Sequence, residues 1–171
     1  EQMQHTGSFK ARGAFNTLLS QPVPKAGVVA ASGGNHGAAV ALAATRLGNP
    51  AAIFVPEMAG AAKISLIERT GAALTVVPGE YANALEAARA FEASTGAMQV
   101  HAYDAPATVA GQGTCFAEWD AQGLDADTVL IAVGGGGLLA GALAHWQGTR
   151  RVIAVEPETA AALHAARDAG A

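Results

Sequence analysis

A single cysteine in 171 residues excludes an internal disulfide framework and any zinc site built on several thiolates, and it fits a reducing compartment. Charge is scarce too. Only 14% of residues are Asp, Glu, Lys or Arg, and ten basic residues face fourteen acidic ones, for a net charge of −4. These charges are scattered, which argues against a nucleic-acid partner, because that requires a concentrated basic surface to displace counterions. No apolar run is long enough to span a bilayer: the longest, Val129 to Ala144, is split by four consecutive glycines. The opening residues Glu-Gln-Met-Gln-His carry no basic start and no apolar core of a secretory leader. The expectation is a cytoplasmic protein with no membrane and no nucleic-acid partner. Hydrophobic residues make up 51% of the chain, enough to bury the core of one domain or of part of a larger one.

The hydrophobic period switches repeatedly between two and 3.6. Strands are predicted at Gly27 to Ala31, Ala51 to Val55, Ala73 to Val77, Met98 to His101, Thr128 to Val133 and Arg151 to Val155. Helices are predicted at Phe9 to Leu19, His36 to Leu47, Ala61 to Arg69, Tyr81 to Ala93, Thr108 to Gln122, Leu138 to Trp146 and Thr159 to Arg167. Alternation of this kind implies βαβ units, right-handed crossovers and parallel sheet. Runs such as Val129-Leu130-Ile131-Ala132-Val133 are apolar on both faces and fit a sheet covered by helices on both sides. About a quarter of the residues are alanine, which lets those helices lie close.

Chemistry concentrates at three places. In the last of them, a strand runs into Gly134-Gly135-Gly136-Gly137 and a helix opens at Leu138. Residues without Cβ let backbone approach a ligand and turn successive N–H groups inward, and the helix start adds donors, so this loop suits a phosphate. The bland alternative is a linker, but linkers rarely join an apolar strand directly to an apolar helix. An earlier unit repeats the device: strand, then Ser32-Gly33-Gly34-Asn35, then a helix from His36. Here Ser32 or Asn35 could instead merely cap the helix. The first place is Thr6-Gly7-Ser8-Phe9-Lys10-Ala11-Arg12-Gly13-Ala14, with Lys10 near a helix start, where the dipole disfavours a cation. Such an amine can have a lowered pKa and become a Schiff-base former; in isolation the reading to prefer is a solvated surface lysine.

Taken in order, Thr-Gly-Ser-Phe-Lys-x-Arg-Gly-Ala, Ser-Gly-Gly-Asn-His-Gly and Gly-Gly-Gly-Gly-Leu resemble the fold-type II pyridoxal-phosphate enzymes, in particular the serine/threonine dehydratase branch. The stretches His101 to Pro106 and Ala110-Gly111-Gln112-Gly113-Thr114, and Val155-Glu156-Pro157, are similar to that branch as well. The resemblance covers nearly the whole chain and implies a central piece of a longer enzyme. It implies an α/β fold of two lobes, each a three-layer αβα arrangement rich in parallel sheet. Residues 27–104 would form the smaller lobe, and residues 1–26 and 105–171 would belong to the larger, with the cofactor in the cleft between.

By the same resemblance, Lys10 holds pyridoxal 5'-phosphate covalently, Phe9 packs against its ring, and Asn35 bonds its phenolic oxygen. Backbone amides of Gly134, Gly135, Gly136, Gly137 and Leu138 hold its phosphate. Ser32, Gly34, Asn35 and His36 surround the substrate carboxylate. The implied reaction is β-elimination from serine, threonine or a related β-hydroxy amino acid to a 2-keto acid and ammonia, with Lys10 taking the α-proton; the implied assembly is a homodimer. Racemases of the branch carry a serine where Gly33 stands, and β-replacement enzymes carry Asp where Ala11 stands. Both departures favour elimination, and an inactive cofactor-binding fragment is a further alternative. Metal-binding relatives pair a Glu after the last strand with an acid six residues on. Glu156 matches but Ala162 does not, so no metal is expected and Glu156 is the lone candidate. From another class, Gly135-x-Gly137-x-x-Ala140 with Glu156 after the next strand matches a dinucleotide fingerprint, but it leaves the lysine and Asn35 motifs unexplained.

Overall fold

The computed structural model describes residues 1–170, which divide into two compact units, Glu1–His101 and the chain from Ala102 on. The first contains α1 (Lys10–Ser20), β1 (Val28–Ala31), α2 (Asn35–Arg46), β2 (Ala51–Pro56), α3 (Ala61–Glu68), β3 (Ala73–Val77), α4 (Tyr81–Thr95) and β4 (Met98–Gln99). Its four strands form one parallel sheet in the order β3-β2-β1-β4, with Val28 opposite both Ala51 and Met98. This is the doubly covered α/β arrangement expected from the alternating periods.

Side chains alternate across that sheet and build two cores. Val28, Ala30, Ile53 and Val55 face α1, α2 and α3, meeting Leu18, Ile67 and the alanines of α2. Val29, Ala31, Ala52 and Phe54 face α4, where Ala84 and Ala88 are fully buried. Alanine at Ala38, Ala39, Ala41, Ala43 and Ala44 keeps α2 close to the strands, so the first turn of α2 is set against the carboxyl end of β1 with little play. Gly27, just before β1, has φ +81, and a Cβ there would lie 2.1 Å from the Pro50 carbonyl oxygen, so only glycine fits.

The second unit contains α5 (Pro106–Ala121), β5 (Thr128–Ala132), α6 (Gly137–Trp146), β6 (Arg151–Val155) and α7 (Ala162–Asp168). β5 and β6 pair in parallel, Val129 opposite Val152. Cys115, Phe116, Val129, Ile131, Ala142 and Trp146 form its core, so the single thiol is a packed one. α5 and α6 cross backbone to backbone: a Cβ on Gly141 would come within 2.7 Å of the Gly113 nitrogen. Asp120 gathers Trp146 Nε1, His145 and the Arg150 guanidinium, which secures the far end of that crossing.

Observed elements begin or end within a few residues of the predicted ones; β3 and β6 coincide with them, whereas β4 is shorter. Among the described residues Val129 and Ile131 are buried and Leu130 is 67% exposed. The sequence expectation placed lobe boundaries at 26/27 and 104/105; the division here falls at 101/102, and α1 packs on α2 within the first unit. Among the described residues no helix is long and apolar enough to cross a membrane.

Candidate active site

Lys10 is the first residue of α1, introduced by the extended Ser8 and by Phe9 at the cap. Its Nζ lies 5.2 Å from the centre of the Phe9 ring. Burial lowers its pKa from the ordinary lysine value, because the charged form loses hydration in this half-buried position. The hydroxyl oxygens of Thr6 and Ser8, beside it in the chain, are buried without a hydrogen-bond partner among the described residues. Thr6 also holds a left-handed backbone conformation at φ 63.

In the same unit, Ser32-Gly33-Gly34 leads from β1 into α2. Ser32 N–H donates to the Phe54 carbonyl, and Gly34 N–H donates to Ser32 Oγ at 3.1 Å, so the serine side chain shapes the turn itself. The amides of Asn35, His36 and Gly37 fall in the first turn of α2, where no earlier helical carbonyl can satisfy them. A Cβ on Gly37 would lie 2.3 Å from the Ser32 carbonyl oxygen, and one on Gly33 would lie 2.4 Å from Ala59 Cβ. Glycine is therefore what allows this turn to sit so tightly on β2 and α2.

Asn35 projects from the helix start and accepts a hydrogen bond from Lys63 Nζ on α3, at 2.5 Å to Oδ1. His36 turns inward, its Nε2 bonded to the Val100 carbonyl at 2.8 Å. Burial pushes its pKa down to about 4, opposed by the Val100 bond and reinforced by the charges of Lys10 and His101. Lys10 thus lies within electrostatic reach of the α2 start, and the structure brings together two of the three predicted places. The imidazole of His36 is occupied by Val100, so what it offers a carboxylate is its backbone amide.

The third place lies in the second unit. After β5, Val133 N–H still donates to Val155, and Gly134 to Gly136 then leave the sheet to start α6 at Gly137. Gly136 has φ +83, a conformation that favours glycine. A Cβ on Gly135 would lie 2.4 Å from the Tyr103 ring, and one on Gly137 2.9 Å from Tyr103 Cα. A cavity of about 280 Å³ opens beside Gly134, Gly135 and Gly136, with Tyr103 and Leu163 also on its wall. Leu138 packs its side chain on the core and contributes only its amide to the helix start.

Two residues were not legible as site residues from the sequence. Lys63 is the one basic residue of α3, 28 positions from Asn35, and no local pattern joins them. Tyr103 lies in a connecting stretch that gave no sign of its contact with the glycine loop. Gln112 is fully buried on α5, with both amide atoms unpartnered among the described residues. Glu156 is engaged in structure: its carboxylate accepts from the Leu163 and His164 amides and caps α7. Among the described residues no three His, Cys, Asp or Glu side chains are grouped as metal ligands.

Each unit carries groups whose chemistry suits pyridoxal phosphate. An aldehyde needs an amine that gives up its proton, and burial moves Lys10 in that direction; a phosphate needs backbone N–H groups without Cβ in the way, and in the second unit Gly134 to Gly137 lead into a helix start.

Comparison with known proteins agrees. A family model described as pyridoxal-phosphate dependent enzyme matches residues 1–171. The chain is similar to an L-threonine ammonia-lyase of Thermotoga maritima, at 44% identity over 143 residues, or 82% of this chain and 36% of that protein. It is also similar to a phenylserine dehydratase of Ralstonia pickettii, at 38% identity, covering 99% of this chain and 53% of that one. The solved structure of maize serine racemase matches with a TM-score of 0.93 at 33% identity, over 99% of this chain and 53% of the racemase. The chain spans 36% to 53% of the length of these relatives.

Proposed function

The chain belongs to the pyridoxal-phosphate dependent enzyme family, and we propose that it is part of an ammonia-lyase that converts serine, threonine or a related β-hydroxy amino acid to a 2-keto acid and ammonia. Loss of water across the α and β carbons, followed by hydrolysis of the resulting enamine's imine form, balances the reaction: serine yields pyruvate and ammonia. The observation that carries this reading is Lys10, half-buried with a lowered pKa at the head of α1, in electrostatic reach of the α2 start.

When bound, the cofactor supplies a carbonyl for amine capture and an electron-accepting ring that stabilises negative charge at the substrate α-carbon. The protein's own groups do the rest. Lys10 Nζ would take the α-proton, a role that its lowered pKa favours. Phe9 offers its ring as a packing surface. The Asn35 carboxamide donates toward the cofactor's phenolic oxygen. Amides of Asn35 and His36, with Ser32 and Gly34 shaping their turn through the Gly34 N–H to Ser32 Oγ bond, receive the substrate carboxylate at the positive end of α2. Gly134, Gly135, Gly136, Gly137 and Leu138 offer backbone donors to the phosphate. In this reading residues 27–104 serve as the smaller lobe and the flanking segments join the larger.

Similarity to an L-threonine ammonia-lyase and a phenylserine dehydratase supports elimination. Serine racemase is also among the similar proteins, but Gly33 stands where the racemases' serine acid/base would be, and Ala59 crowds that position. A cytoplasmic homodimer is the form proposed, supported by the single buried thiol and by the family resemblance. The test uses the full-length protein with pyridoxal phosphate, borohydride and a panel of β-hydroxy amino acids. Borohydride is expected to fix the cofactor onto Lys10, and keto acid is expected from at least one substrate. Lys10→Ala is expected to lose both; a Lys10→Ala protein with undiminished turnover would refute the assignment.

A further inference from the structure

Asn35 matters to the proposed chemistry only if its carboxamide presents the correct end. One side of that group donates through Nδ2 and the other accepts through Oδ1, and the two orientations are nearly equal in shape. An asparagine on an exposed helix start is free to flip unless something distinguishes its ends. Here the distinguishing group is Lys63: its ammonium carries three N–H donors and no acceptor, and it meets Asn35 at Oδ1. With the ammonium in place, the flipped orientation would set N–H against N–H, so Oδ1 is held toward α3 and Nδ2 is left as a donor. Among the described residues Nδ2 has no hydrogen-bond partner.

We propose that Lys63 is a positioning residue that locks the Asn35 carboxamide with its N–H donors directed away from α3, toward an anionic oxygen of the bound cofactor. The inference rests on the reading of Asn35 and Lys10 given above. It assigns a distinct task to a residue on a different helix, one that no local motif marks. It also explains why a cation stands in the otherwise apolar first half of α3. A lysine that merely packed there could be replaced by any side chain of similar length, whereas an orientation lock requires a side chain that donates and never accepts.

That difference defines the test. In the full-length protein, Lys63→Arg keeps a donor-only group, Lys63→Gln keeps length but can donate or accept, and Lys63→Met keeps length alone. The readouts are the visible absorbance of the lysine-bound cofactor, its dissociation constant, and in cofactor-free protein the Asn35 side-chain NH2 resonances. Wild type and Lys63→Arg are expected to agree in all three. Gln and Met variants are expected to shift the absorbance and the NH2 resonances, and to lose about tenfold in kcat with little change in KM, the size expected for one misdirected hydrogen bond to a charged group. In an Asn35→Ala background, Lys63→Met is expected to add nothing.

Equal spectra across the Lys63 series, with cofactor still fixed on Lys10, would overturn the lock and leave the broader reading standing. The lock is overturned equally if KM alone rises in Lys63→Met, for then the ammonium serves the substrate's anion instead. If wild-type protein takes up no cofactor at Lys10, the reading and the lock fall together. Should Lys63→Met not fold, the Arg and Gln pair decides between the alternatives.

Discussion

His36 Nε2 and the Val100 carbonyl oxygen, 64 residues apart in sequence, are joined by a 2.8 Å hydrogen bond that ties the first turn of α2 to the chain leaving β4. A carbonyl only accepts, so the imidazole donates through Nε2. The bond anchors the helix start whose amides the proposed function assigns to a substrate carboxylate. The ring is spent on structure while its neighbour Asn35 remains exposed.

This arrangement makes stability sensitive to acid. An unfolded histidine titrates near 6.5, and burial lowers His36 to about 4. Between those values the unfolded chain binds a proton that the folded chain refuses, so stability rises with pH across the window and falls as the medium is acidified. The contribution is fully present above pH 6.5 and is lost on the way down to about 4. A shift of this size corresponds to an effect on the order of a few kcal/mol. His36→Gln retains a donor for Val100 and does not titrate. Urea unfolding at several pH values should show a flatter acid limb for the variant; an identical decline in both proteins would contradict this assignment.

The local geometry of the candidate site was readable from pattern because its parts are local: a strand, a glycine-rich turn and a helix start are contiguous in sequence at both 28–46 and 128–146. The same holds for Lys10 at the beginning of α1. What pattern could not supply was the partner of each side chain. His36 is as compatible with a ligand as with Val100 until the fold brings β4 alongside β1. Lys63 and Tyr103 reach the two loops only through tertiary packing. The period of β5 likewise says that both faces are apolar, not what lies on them.

Gly33 bears on the choice between elimination and racemisation. Installing the racemases' serine by Gly33→Ser would place a Cβ 2.4 Å from Ala59 Cβ and 3.2 Å from Val55 Cγ1. Overpacking of this kind costs about 1–3 kcal/mol, and the turn that carries Asn35 would have to move. The variant should therefore melt lower and form no D-serine from L-serine. Combining it with Ala59→Gly removes the closest contact, leaving Val55 Cγ1 at 3.2 Å, and should recover part of the melting temperature. Chiral analysis of the product and thermal melts of both variants check this; a Gly33→Ser protein as stable as its parent would show that the turn has more room than the structure gives it.

Neighbouring glycines of the 134–137 loop should respond differently to the same substitution. A Cβ on Gly134 meets nothing within 4 Å, whereas one on Gly135 would enter the Tyr103 ring, with contacts of 2.4, 2.5 and 2.7 Å. Both alanine variants keep the backbone N–H that a phosphate would use, so a purely donor-based role for the loop predicts no difference between them. Steric positioning by Tyr103 predicts a large one. Gly134→Ala should bind pyridoxal phosphate nearly as the parent does. Gly135→Ala should lose about tenfold in affinity and about 1–3 kcal/mol in stability, as the loop or the ring is driven aside. Replacing the ring in a Gly135→Ala/Tyr103→Ala double variant should recover much of the affinity, because the obstacle is gone while the amide remains. Equilibrium titration of the four proteins with the cofactor reads this directly. Equal affinities for the Gly134 and Gly135 variants would mean that Tyr103 does not set the shape of the loop.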